Sequence, residues 1–145
     1  MITETTEEVV IVNVGESMLG LPLDRVHEIT RQLDRTPVPR GGAEILGVVN
    51  LRGEIVTLLD LGMILFDRRT SDDKTTRTVI VQHEDERIGL NIDRVGDVVQ
   101  FDRTNIERLP THVSEAESKF FRGVVQRDDG LLLVVDIGAV IAAST

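Results

Sequence analysis

Few side chains in this chain could do bond-breaking chemistry, and two of them stand in a pattern. Leu59-Asp60-Leu61-Gly62 and Val135-Asp136-Ile137-Gly138-Ala139 place an Asp-x-Gly sequence at matching points of two β-rich segments. Carboxylates held in contact share a proton, because two like charges cannot both ionise there, and aspartic proteases hydrolyse peptide bonds with such a pair. That dyad needs a Thr or Ser between Asp and Gly to hydrogen-bond across and fix the pair. Leu61 and Ile137 carry no hydroxyl. Helix capping is the better account: an Asp before LGMILF and an Asp before IGAVIAA can each accept from free N–H groups of a helical first turn. A hydrolase built on Asp60 and Asp136 is the only enzymatic alternative these residues offer.

The remaining reactive groups do not assemble into a set. His27, His83 and His112 have no spacing that would pair them as metal ligands on a helix, and His83 precedes Glu84-Asp85 in an expected hairpin turn. Ser17 and Ser114 lie in no nucleophile motif. No glycine-rich loop carries a lysine for phosphate binding. There is no cysteine, so disulfides, thiolate metal sites and cysteine nucleophiles are all removed. The expectation is a binding module with no catalytic residue, metal or cofactor.

Charge and composition narrow the partners. The formal net charge is −9, which repels phosphate backbones and anionic lipids, so neither nucleic acid nor direct membrane insertion is expected. The N-terminal MITETTEEVV has acids where a signal peptide needs a basic and then an apolar region. No apolar run approaches the ~20 residues of a membrane span. A cytoplasmic location is expected.

The elements that must position any site are strands. VVIVNV (9–14), GVVNL (47–51), IVTLL (55–59), TVIV (78–81), IGLNI (88–92), GVV (123–125) and LLLVV (131–135) are short, β-branched and separated by turn formers. Ser114-x-x-Glu117 is a weak capping box. RTPVPRGGAE (35–44) and DRRTSDDKTTR (67–77) read as loops, the second as the boundary between halves.

Those halves repeat each other. GLPLDRV at 20–26 returns as GLNIDRV at 89–95, inside a gapless match of 9–29 to 78–98. A second gapless match joins 47–65 to 123–141, with Gly47/Gly123, Val48/Val124, Val49/Val125, Asp60/Asp136 and Gly62/Gly138 identical. Equivalent residues are therefore roughly 70–76 positions apart, the mark of a duplicated unit. Each unit holds about five short strands, which must close or nearly close to avoid exposed edges. The expected architecture is all-β: two five-stranded barrels, one from each half, packed around a shared hydrophobic core, with a few short helices. LLLVV suits a strand buried on both faces.

One stretch is more particular. In GVVNLRGEIVTLLDL (47–61), Asn50-Leu51-Arg52-Gly53 sits between two apolar runs and predicts a tight turn. The counterpart of Arg52 is Asp128, so the turn itself does not demand a cation. This stretch resembles the signature of the CheW family of chemotaxis coupling proteins. Val26-His27-Glu28-Ile29, Thr36-Pro37-Val38-Pro39, Gly89 to Val95 and Phe121-Arg122-Gly123 follow in the family's order over residues 8–142. The resemblance implies a single domain of two Src-homology-3-like barrels. It implies a non-enzymatic adaptor linking cytoplasmic tips of chemoreceptors to the regulatory domain of the histidine kinase CheA, within receptor arrays at the inner membrane. A coupler for pilus or gliding motility is a variant of the same reading. By resemblance, the receptor groove involves Leu23, Val26, Glu28, Ile29, Arg52, Thr78 and Val79, and kinase contacts involve Ile45, Gly47 and Val48.

Overall fold

Alternating and β-branched runs do become strands. The computed structural model describes residues 4–39, 41–110 and 115–143. The first half holds the hairpin β1 (Thr6–Val14) and β2 (Ser17–Pro22), a 3-10 turn at Leu23–Arg25, strand β3 (Val26–Arg31), the hairpin β4 (Ile45–Leu51) and β5 (Glu54–Asp60), and helix α1 (Leu61–Phe66). The second repeats the order with β6 (Arg77–His83), β7 (Glu86–Ile92), β8 (Arg94–Asp102), a 3-10 turn at Arg103–Asn105, helix α2 (Glu115–Ser118), β9 (Phe121–Arg127), β10 (Gly130–Val135) and α3 (Ile137–Ala142). His112 and Ser114, and with it the expected capping box, lie outside the described residues. No described helix is long and apolar enough to cross a membrane.

The strands form two five-stranded sheets, β8-β1-β2-β10-β9 and β3-β6-β7-β5-β4, each curled into a small Src-homology-3-like barrel. Replacing every strand of the first order by its counterpart in the other half yields the second order. Registers obey the same relation. Val10 faces Leu21 as Val79 faces Leu90, and in the parallel pairs Leu133 faces Leu19 as Thr57 faces Ile88. Even the irregularities repeat: β1 shifts register between Val10 and Val12 against β8, and β3 between Val26 and Glu28 against β6.

The barrels differ from the sequence reading in which strands build them. Each sheet takes an opening hairpin from one half and the three later strands from the other. Neither half closes a barrel alone. Similarity between segments reports equivalent strands, but pairing partners are chosen by long-range packing that a hairpin pattern does not encode.

The alternation of buried side chains explains the shared core. Val9, Ile11, Phe101, Val125, Leu132 and Val134 fill the first barrel, and Val49, Val56, Leu58 and Ile80 fill the second. A larger cluster lies between them and includes Val10, Val12, Leu19, Leu59, Val79, Val81, Leu90 and Val135. Successive residues of β1 thus face different cores, as period-two geometry requires. The repeated phrase has a packing reason too. A Cβ at Gly20 would lie 3.0 Å from a Val9 methyl, and one at Gly89 3.0 Å from a Leu58 methyl, so each glycine makes room inside its barrel.

The polar segment between the halves is held rather than loose. Both carboxylate oxygens of Asp60 accept from Thr70 N at 3.2 Å, and Arg69 lies 3.6 Å from it. Asp93 accepts from Ser71 N at 2.5 Å and from Gly15 N at 2.6 Å. Asp60 and Asp136 are helix caps: the first accepts from Met63 N at 3.2 Å and the second from Ala139 N at 3.1 Å. Asp60 ends β5 and Asp136 follows β10, strands of different sheets, and no hydrogen bond or ion pair joins the two among the described residues. The arrangement is that of two caps, not of a proton-sharing dyad.

Two stability predictions follow from these contacts. Gly47 and Gly123 adopt φ of 148° and 154°, and a Cβ on either would meet a carbonyl oxygen at 2.4 Å, of Thr36 and Glu107 respectively. Gly47→Ala and Gly123→Ala should each lower unfolding free energy by about 1–3 kcal/mol in urea titrations. Asp136→Ala should cost about 1 kcal/mol as a lost cap. Asp60→Ala should cost about 2–3 kcal/mol, because it also orphans the half-buried Thr70 N–H.

Candidate protein-docking site

Arg52 is presented by the tightest kind of hairpin. Leu51 pairs with Glu54, so Arg52 and Gly53 alone make the connection. Their φ values are 52° and 87°, the two positive values a type I′ turn needs. Gly53 N donates to Asn50 Oδ1 at 2.8 Å and closes the turn. A left-handed conformation disfavours arginine relative to asparagine or glycine, so the turn does not explain the side chain.

The side chain is explained by its partner. Arg52 Nη1 donates to Glu28 Oε1 at 2.5 Å and Nη2 to Oε2 at 3.0 Å, a bidentate pair. It ties the β4–β5 turn to β3. The hydrogen bonds from Arg52 hold the Glu28 carboxyl below its ordinary range, and the Glu28 carboxylate raises Arg52 in return. Arg52 remains 72% exposed while Glu28 is 21% exposed, so the outward group of the pair is the guanidinium. Glu28 is therefore not a free acid. Arg87 bonds Glu54 at 3.2 Å in the same neighbourhood.

β3 is an edge strand of its sheet and alternates half-buried with exposed residues. Leu23 and Val26 are half-buried against the shared core, and Ile29 is 39% exposed. An apolar residue on an open edge, beside a fixed ion pair, suits contact with another protein. Thr78 and Val79 correct the expected groove. Both are fully buried in β6, opposite Thr30 and Ile29, and Thr78 Oγ1 donates to Asn91 Oδ1 at 2.7 Å. They support β3 from the sheet and present no surface.

The expected kinase-contact residues are also unequal. Ile45 packs partly against the shared core. Gly47 is buried, because Thr36 bridges to Val48 through bonds of 2.9 Å in both directions and covers the edge of β4. Val48 is half-buried under the same bridge. Gly47 can therefore set backbone geometry but offers no side of its own.

Sequence reasoning missed other exposed apolar side chains. Ile55 is 66% exposed and Leu131 46%, and they are equivalent positions of the two copies, as are Ile29 and Val98. The gapless matches contained that signal, since both members of each pair are aliphatic. Among the described residues, no group of three His, Asp or Glu side chains is placed to hold a metal ion.

Comparison with known proteins agrees with this geometry. The family model described as the CheW-like domain matches residues 8–145. The chain is 28% identical over 134 residues to the chemotaxis protein CheW of Treponema pallidum, covering 90% of this chain and 79% of that one. It is 29% identical over 141 residues to the chemotaxis protein CheW of Thermotoga maritima, covering 95% and 89%. The crystal structure of the scaffolding protein TtCheW from Thermoanaerobacter tengcongensis superposes with a TM-score of 0.81 at 28% identity, covering 90% of this chain and 88% of that one.

The ion pair has a pH signature. A lowered folded-state value means that any stability Glu28 adds is present above the ordinary carboxylate range and lost as pH falls through the lowered value. A carbon-detected NMR titration should find the Glu28 carboxyl titrating below the exposed glutamates. In Arg52→Ala that midpoint should rise to join them.

Proposed function

This chain belongs to the CheW-like domain family, and we propose that it couples the cytoplasmic tips of chemoreceptors to the regulatory domain of the histidine kinase CheA. It is a scaffolding adaptor and not an enzyme. The observation that carries the coupling reading is the bidentate Arg52–Glu28 pair beside exposed Ile29 on an edge strand.

A receptor tip is a helical hairpin, and a helix lying on an apolar strip with a few polar fixings is an ordinary recognition mode. Ile29 supplies the strip, with Leu23 and Val26 as its half-buried floor. The exposed Arg52 guanidinium supplies the fixing, held in one orientation by Glu28 and able to meet a carboxylate. Ile45 and Val48, at the covered edge of β4, support a separate contact with the kinase domain. Both contacts act in the cytoplasm. Single contacts of this size are micromolar, about −8 kcal/mol, and an array multiplies them through repeated, linked binding.

Calorimetry with a receptor-tip fragment and with the kinase regulatory domain tests this reading. Ile29→Asp and Arg52→Glu should each weaken receptor binding at least about tenfold, a loss of roughly 1.4 kcal/mol, with thermal melting almost unchanged. Exchange of the charges, Glu28→Arg with Arg52→Glu, should restore the internal pair but not the receptor affinity. Failure of the native chain to bind any cognate receptor or kinase overturns the proposal. Binding only to partners from a pilus or gliding system moves it to that pathway.

A further inference from the structure

Because the fold is duplicated, each surface of one barrel has a counterpart on the other, and one such pair differs in character. β2 and β10 run parallel with Met18 opposite Leu132, so the β1–β2 and β9–β10 turns lie side by side. There, a cavity of about 480 Å³ is lined by Met18, Phe66, Leu131 and Leu133, with Glu16 and Asp129 also on its wall. At the corresponding end of the other barrel the sequence has Arg87 for Met18, Thr57 for Leu133 and Gly53 for Asp129. The β9–β10 turn carries Asp128 and Asp129 where that end carries Arg52 and Gly53, whereas Glu16 has an acidic counterpart in Asp85. The fold itself therefore does not require Met18 and Leu133 at this end, since its own second copy has Arg87 and Thr57 there.

Exposed carboxylates border the apolar end. Glu16 is exposed and forms no ion pair among the described residues. Asp129 accepts from Arg127 at 3.2 Å but is 60% exposed, and exposed Asp128 adds another negative charge beside it. An apolar floor with an acidic rim attracts cations that carry apolar surface, and it repels phosphate and anionic lipid.

We propose that this groove docks a cationic amphipathic segment of a partner protein, seating an apolar side chain on Leu131 and Leu133 between arginines or lysines that meet Glu16 and Asp129. The surface is distinct from the Ile29 strip of β3, and the inference does not depend on which receptor or kinase that strip recognises. The net charge of −9 steers such a segment toward the chain, and the groove supplies the apolar contact that fixes it.

The test is a titration of the full ¹⁵N-labelled chain with two synthetic peptides, one alternating leucine pairs with arginine and one with glutamate in place of arginine. The arginine peptide should shift the amides of residues 16–18 and 129–133 and bind more weakly as salt rises from about 50 to about 300 mM. The glutamate peptide should shift none of them. Glu16→Lys with Asp129→Lys should weaken the arginine peptide at least about tenfold, and Leu131→Ser should do the same, both with native spectra elsewhere. No shift at those amides, equal response to both peptides, or undiminished affinity in the variants overturns the proposal. Concentration-dependent shifts of the same amides in the free chain also overturn it, assigning the groove to a second copy.

Discussion

Beyond the hairpins, every strand pairing in this fold joins one half of the chain to the other: β1 to β8, β2 to β10, β3 to β6 and β5 to β7. Those ladders are what close both barrels, so neither barrel exists without both copies. The shared core follows, because strands paired in this way turn one face inward to their barrel and the other toward its sister. The connection between halves is accordingly short of freedom. Asp60 and Asp93 hold it against the two barrels, the first through Thr70 and the second through Ser71 and Gly15.

Interleaving gives an adaptor what it needs physically. Two independently folded barrels on a tether would move relative to each other, as domains with modest interfaces do. Exchanged strands instead make one rigid body whose surfaces keep fixed separations. Surfaces on the two barrels are then related by backbone ladders rather than by a flexible joint.

On this nearly symmetric frame, a few surface residues depart from symmetry. The β4–β5 turn carries Arg52, tied to Glu28, where the β9–β10 turn carries Asp128. Thr57 and Arg87 at one end become Leu133 and Met18 at the other. Backbone geometry is common to both copies, down to Gly47 and Gly123 lying under a carbonyl at the same distance. The backbone does not require these differences.

Much of this was legible in the residues. β-branched runs marked the strands, the repeated GLPLDRV and GLNIDRV marked equivalent positions, and Asp60 and Asp136 announced two capped helices, because propensity, capping and internal similarity are local properties of a chain. The oddity of Arg52 was visible by comparison with Asp128. Its partner was not, since Glu28 lies on another strand and only packing brings it within hydrogen-bond reach. The burial of Thr78, Val79 and Gly47 was hidden for the same reason. The sequence by itself determined ten strands and a duplication, whereas which strands pair, which acids are neutralised and which apolar residues stay exposed were decided by contacts between residues far apart along the chain.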